Sequence, residues 1–156
     1  MTFRDFAKDL KPLLQEKGWW GKQAAIDPKT GEEREVQLGS TRRLKTIFDT
    51  NLRSAYAAGG WERIQRTKKL RPYLAYRGIA DARQRAAHRQ WNDTVLPADH
   101  PFWDQHYPPN GWRCRCTVQQ LSDRDLKRLG LEVSKTAPTG APRTFIDKRT
   151  GETILV

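Results

Sequence analysis

No run of apolar residues in this chain approaches the length that a helix needs to cross a bilayer, so membrane insertion is not expected. Cysteine is scarce: Cys114 and Cys116, separated by one residue, are the pair. Strand neighbours on one face do not present disulfide geometry, so reduced thiols are expected, either buried or ligating a metal. The first residues, Met1-Thr2-Phe3-Arg4-Asp5, lack the basic-then-apolar order of a secretion signal, which by default suggests a cytosolic setting. Acidic residues are in deficit, 18 against 29 Lys and Arg, for a net charge of +11. That balance favours a polyanionic partner, nucleic acid first and an anionic membrane surface second. There is no glycine-rich phosphate loop and no histidine-glutamate pair at helical spacing, so catalysis is the less favoured branch.

What is present suits one domain of 156 residues, or one domain with a short tail, able to bury a real core. Phe3, Phe6, Leu10, Leu13 and Leu14 fall on one stripe and predict a helix over residues 3–17, with a kink or break at Pro12. Asp27-Pro28-Lys29-Thr30-Gly31 reads as the turn between two short strands, the second over residues 35–38. A similar Asp-x-x-Thr-Gly pattern near the C-terminus is read as hairpin chemistry, not as a domain repeat. Ser40 is positioned to cap the strongest helix, whose apolar face would be Leu44, Ile47, Phe48, Leu52, Ala55 and Tyr56. Gly59-Gly60 should end or bend it, with another helical turn or two possible in residues 61–69. Residues 73–79 alternate like a strand, Asp81 is expected to cap a short helix through Trp91, and Ser122 to cap a last one closed by Gly130.

The densest stretch is residues 99–118, which holds both cysteines, two of the three histidines and two of the six tryptophans. Pro108, Pro109 and Gly111 exclude a helix there, and Asn110-Gly111 suits a tight turn. Residues 112–118 alternate as a strand would, with Cys114 and Cys116 facing inward and Arg113 and Arg115 outward. Trp103, Tyr107 and Trp112 would form a lid over that strand's sheet, with His88 brought close from the preceding helix. The fold class expected is α+β. A single domain would combine a long central helix over residues 42–58, short flanking helices around Arg83 and Leu126, and a small, mostly antiparallel sheet. Residues 1–133 form the domain in this reading, and residues 134–156 a linker and C-terminal hairpin.

Between Arg42 and Arg89 stand thirteen Lys and Arg against three acids, interleaved with Trp61, Tyr73, Tyr76 and Trp91. Such a mixture suits phosphate neutralisation and base stacking, although each residue singly also fits a solvated face or a core. Arg42, Arg43, Lys45, Arg53, Arg63, Arg66, Lys68, Lys69 and Arg71 are the DNA-contact candidates.

His88, Cys114 and Cys116, with Asp81, His100 or His106 as a fourth ligand, would suit zinc, the one cofactor that the donors suggest. The competing reading makes the thiols small buried hydrophobes, with His88 bonded to Asp81 or a carbonyl. A Cys/His nucleophile oriented by Asp81, or a metal-dependent centre of Asp99, His100, Asp104 and His106 acting on nucleic acid, stays open as the enzyme alternative. A zinc-stabilised nucleic-acid-binding module is the other alternative.

Three segments carry a family resemblance: residues 42–59, residues 71–88 with Asp81 and Arg85, and residues 99–116. The last holds Pro101-Phe102-Trp103-Asp104 and Pro108-Pro109-Asn110-Gly111-Trp112-Arg113-Cys114-Arg115-Cys116. Together they resemble the phage Mu F-like minor head proteins, over roughly residues 15–131. The resemblance implies a head morphogenesis factor of a tailed phage or prophage, associated with portal and capsid proteins and contacting DNA non-specifically. It also implies a place in the host cytoplasm and in the virion or procapsid, and structural weight on Trp103, Pro109, Gly111 and Trp112. Members are often much longer. Similar sequences place a glycine where this chain has Asp93, which bears on the turn after Trp91.

Overall fold

The computed structural model describes residues 1–27 and 29–138, together with the backbone of residues 144–146 and 153–155. It is α+β, with one long helix and small antiparallel sheets, as the sequence leads one to expect. The chain divides into two compact units, residues 1–62 with 109–114, and residues 63–108 with 115–156.

The first unit opens with helix α1 (Phe3–Glu16), held at its start by a capping box between Thr2 and Asp5. Pro12 does not break it. Proline removes one backbone donor, but this side chain is exposed, so water can satisfy the carbonyl left over. Gly18 takes φ +69 just beyond the helix, and Trp19 N–H donates to the Leu14 carbonyl at 2.7 Å, which closes the last turn. Strands β1 (Gly21–Ile26) and β2 (Glu33–Gly39) then form the expected hairpin, paired antiparallel from Ile26↔Glu33 to Gly21↔Gly39. Gly39 is obligatory, because a Cβ there would lie 2.5 Å from the Trp19 carbonyl oxygen.

Helix α2 (Thr41–Thr67) begins where Ser40 Oγ accepts the Arg43 N–H. It does not end at Gly59-Gly60. Each glycine costs about 1 kcal/mol in a helix, yet adding residues to a long helix is cooperative, and Ala57, Ala58 and Glu62 flank the pair. Its apolar face is shorter than expected. Phe3 and Phe6 pack on Phe48 with ring centroids 5.8 and 5.3 Å apart, and Leu44 is buried, but Ala55 is exposed, as are Leu52 and Tyr56, the latter 75%.

The second unit is built on strand β3 (Tyr73–Arg77), central in the sheet β4-β3-β5 between β4 (Val95–Pro97) and β5 (Thr117–Leu121). Both pairings are antiparallel, with Leu74 opposite Leu96 and Gln120. Leu74, Ala75 and Tyr76 are wholly buried, and Val95, Leu121 and Leu126 close around Ala75. Helix α3 (Ala86–Gln90) starts later than expected, with Arg85 at its N-cap. Asp81 does not cap it, because its carboxylate accepts the Arg83 N–H at 3.0 Å and so forms a local turn instead.

Helix α4 (Phe102–His106) forms inside the stretch where no helix was expected: Pro101 stands at its N-cap, and Pro108 and Pro109 lie beyond its end, where they stop it without entering it. Helix α5 (Asp123–Leu129) has the expected Ser122 cap and Gly130 terminator, the latter at φ +63. Strands β6 (Thr144–Ile146) and β7 (Thr153–Leu155) pair antiparallel. The turn between them and residues 139–143 of the linker lie outside the described residues.

The strand expected over residues 112–118 is not formed as such: β5 begins only at Thr117. Gly111 and Arg113 take φ +82 and +60, and Cys114 N–H donates to the Gly111 carbonyl at 3.2 Å, so the chain is turning where alternation suggested extension. Asp93 takes φ +59, a conformation that glycine adopts most easily. Its N–H donates to the Tyr76 carbonyl and its carboxylate pairs with Arg77.

Candidate functional site

In the second unit the end of α3 and the approach to β5 bring a thiol to an imidazole. Cys116 Sγ lies 3.5 Å from His88 Nδ1. His88 is 3% exposed, while Cys116 is half-buried. The imidazole is fixed by stacking on Trp91, with centroids 5.0 Å apart and planes 19° from parallel. Trp91 meets Tyr76, Phe102 and His106 edge to face, and Phe102 and His106 stack at 4.3 Å. The role of Trp91 was not foreseen, although its spacing of three residues from His88 on a short helix was a usable signal.

Asp81 does not serve as the expected orienter of the site. Arg115 Nη2 donates to its Oδ1 at 2.6 Å. That bond, chiefly, with the Arg83 amide and charge, holds the Asp81 carboxyl at about 2. Arg115 is therefore half-buried, not outward as alternation implied.

Cys114 is buried and belongs to the first unit, where its carbonyl accepts from Arg53 at 2.9 Å and Arg113 donates to Thr46 Oγ1 at 3.1 Å. His100 Nδ1 accepts the Phe102 N–H at 3.1 Å, and His106 Nδ1 sits 3.0 Å from the Phe102 carbonyl. Asp99 pairs with Lys68 at 2.6 Å. Among the described residues, Asp99, His100, Asp104 and His106 do not converge as a ligand group.

Trp103 is 1% exposed, and its indole N–H donates to the Pro97 carbonyl at 2.9 Å. Tyr107 is half-buried, and burial pushes its phenol up. Trp112, by contrast, is 58% exposed and is no part of a buried lid. Pro109 is half-buried and Gly111 exposed at its turn.

The basic residues fall in both units. In the first, Arg42, Lys45 and Arg53 share one stripe of α2, interrupted by Asp49, which pairs with Lys45 at 3.1 Å; Arg43 donates to the Leu38 carbonyl. In the second, Arg63, Arg66 and Lys69 are exposed, while Lys68 and Arg71 pair with Asp99 and Asp125. Among the described residues Arg42, Arg66 and Lys69 have no ion pair, which leaves their charges turned to solvent.

No helix of the described residues is long and apolar enough to cross a membrane. No solved structure matches the chain. Sequence relatives are informative. Over 155 residues, 97% of this chain, it is 43% identical to the putative capsid assembly protein F of Escherichia phage Mu, covering 35% of that protein. Over 154 residues it is 40% identical to the Mu-like prophage FluMu F protein of Haemophilus influenzae, covering 36% of it. The chain thus spans about a third of the length of the curated relatives it matches. Residues 2–119 match the family described as phage Mu protein F like protein. With most of its length inside that match, this chain belongs to the phage Mu protein F like family.

Proposed function

We propose that this chain acts in phage head morphogenesis, as part of a minor capsid component that associates with the portal and touches DNA without sequence preference. The observation that carries the reading is the 43% identity, across nearly the whole chain, to a protein whose name is putative capsid assembly protein F. The net charge of +11 supports the DNA half, and so do the solvent-facing cations Arg42, Arg66 and Lys69, which lack carboxylate partners among the described residues. Phosphate contact needs such cations and no base-reading geometry.

Co-expression with the portal and major capsid proteins of its own phage tests the assembly half: the chain should co-sediment with procapsids, and its absence from them would refute the assignment. DNA affinity should fall steeply with salt, with the slope reduced by about 0.9 for each phosphate contact removed by Arg66→Glu or Lys69→Glu. An affinity flat across salt would remove the DNA half and leave the assembly half standing.

A further inference from the structure

The assembly and DNA roles use neither Cys116 nor His88, yet the second unit places them with care. The imidazole is almost fully buried, its rotation is set by Trp91, and Nδ1 faces the Cys116 sulfur at 3.5 Å. The two carboxylates that flank this helix in sequence are both committed elsewhere: Asp81 to Arg115 and to the Arg83 amide, and Asp93 to Arg77. The donor pair is therefore nitrogen and sulfur, without the hard oxygens that calcium or magnesium takes. The chain supplies a second thiol on its own, since Cys114 precedes Cys116 by two residues, a span of at most about 7 Å.

We propose that His88 and Cys116, with Cys114 as the next thiol along the chain, bind a soft divalent cation, zinc foremost. Each thiol gives up its proton to solvent as the cation binds, and the sulfur lone pair of the thiolate forms the metal bond; nothing is oxidised or reduced. The half-buried Cys116 gives the ion its way in, and the buried imidazole gives it a fixed anchor. Such a bond joins α3 to the start of β5 across 28 residues of chain, so the cation would clip the second unit together.

The test uses the full chain, reduced, stripped by a chelator and titrated with Co²⁺ as a spectroscopic probe. One equivalent should bind and give a near-ultraviolet band of thiolate-to-cobalt charge transfer, which Zn²⁺ then displaces. Cys116→Ser, at a half-buried position and checked for folding by circular dichroism, should lose most of the band. Cys114→Ser should weaken binding by at least about tenfold, since even residues behind a metal ligand cost that much. His100→Ala should change nothing. On the unaltered chain, Zn²⁺ should also slow alkylation of Cys116, which needs no variant to fold. A wild-type chain without the band, a band kept in Cys116→Ser, a Cys114→Ser chain that binds as tightly as wild type, or alkylation indifferent to Zn²⁺ would each overturn the site.

Discussion

Strand β3 buries three consecutive residues completely, whereas helix α1, fourteen residues long, buries none. The two units differ throughout in this way. In the first, Gly39, Leu44 and Cys114 are the buried positions among the described residues. A groove of about 380 Å³, lined by Leu10, Leu14, Leu38, Leu44 and Ile47 among others, lies where a denser core would be filled. Its order comes mostly from local devices, a capping box, a glycine stop and a hairpin turn, to which the contacts of Phe3 and Phe6 on Phe48 add a longer-range tie. The second unit is held by partners distant in sequence, with β3 set between β4 and β5 and Trp103 sealed beside them. Burial of apolar area is the larger stabilising term, so the second unit should be the harder to open. Native-state hydrogen exchange should find the slowest amides in β3 and the fastest in α1; equal protection would break the contrast.

The largest effect belongs to Trp103→Ala. Removing a buried indole that also donates a 2.9 Å hydrogen bond should cost about 3–5 kcal/mol, seen as lost amide protection throughout β3 and β4. A domain of this size has about 5–15 kcal/mol in all, so the second unit would become marginal. An unchanged melt with weakened portal binding would instead put this tryptophan at an interface.

Leu44→Ala addresses the other unit. Its side chain is buried, but it sits beside the groove, where neighbours can relax, so the cost should fall at the low end for such truncations, about 2 kcal/mol. Protection should drop in α1 and the start of α2. A loss as large as that of Trp103→Ala would mean that the first unit has a denser core than its burial shows.

The same contrast decides what could be read from the sequence. The α1 stripe, the β1–β2 turn, the Ser40 cap and the Ser122 to Gly130 helix were legible, because each is written within a few residues. Pro12 and Gly59-Gly60 were over-read as breaks because a helix already propagating carries a weak residue, and other errors came where distant groups competed with local pattern. Residues 112–118 alternate, yet Arg113 and Arg115 are drawn to Thr46 and Asp81, and the positive φ of Gly111 and Arg113 turns the chain. Leu52 and Tyr56 lie on the extension of the apolar stripe of α2, and periodicity cannot tell that nothing among the described residues covers them. The approach of His88 to Cys116 was foreseen from residue types, but the use of Asp81 by Arg115 was not.

Acid should act more gently than either truncation. Asp81 and Asp125 are both held at about 2, against an ordinary 3.8, by Arg115 and by Ser122 respectively as the leading cause. A folded value below the unfolded one means that the unfolded chain takes up protons first as pH falls. The stabilisation is complete above the ordinary carboxylate range, about 4, and is lost as pH falls toward 2. Urea midpoints at pH 5 and pH 3, read in β5 and α5, should therefore decline. Asp81→Asn and Asp125→Asn together should flatten that decline, and a midpoint indifferent to pH would dismiss both pairs as stabilising.

The smallest effect is also the cleanest comparison, because the same device occurs once in each unit. Thr2 with Asp5 caps α1, and Ser122 with Asp125 caps α5, each with reciprocal side-chain and backbone bonds. The local chemistry is nearly matched; the surroundings are not. Asp125 is buried and also receives Arg128 at 2.9 Å and Arg71 at 3.5 Å, and α5 contributes Leu126 to the core, whereas Thr2 and Asp5 are exposed. Ser122→Ala should cost about 1 kcal/mol, spread over the second unit because losing the cap loosens a helix that the core needs. Thr2→Ala should cost about 0.5 kcal/mol, confined to the first turn of α1, since a frayed end there uncovers no buried residue. Amide exchange in the two variants separates the outcomes. If Thr2→Ala lowered protection as far away as β2, the first unit would be a cooperative whole, and the contrast between a locally held unit and a core-held one would have to be given up.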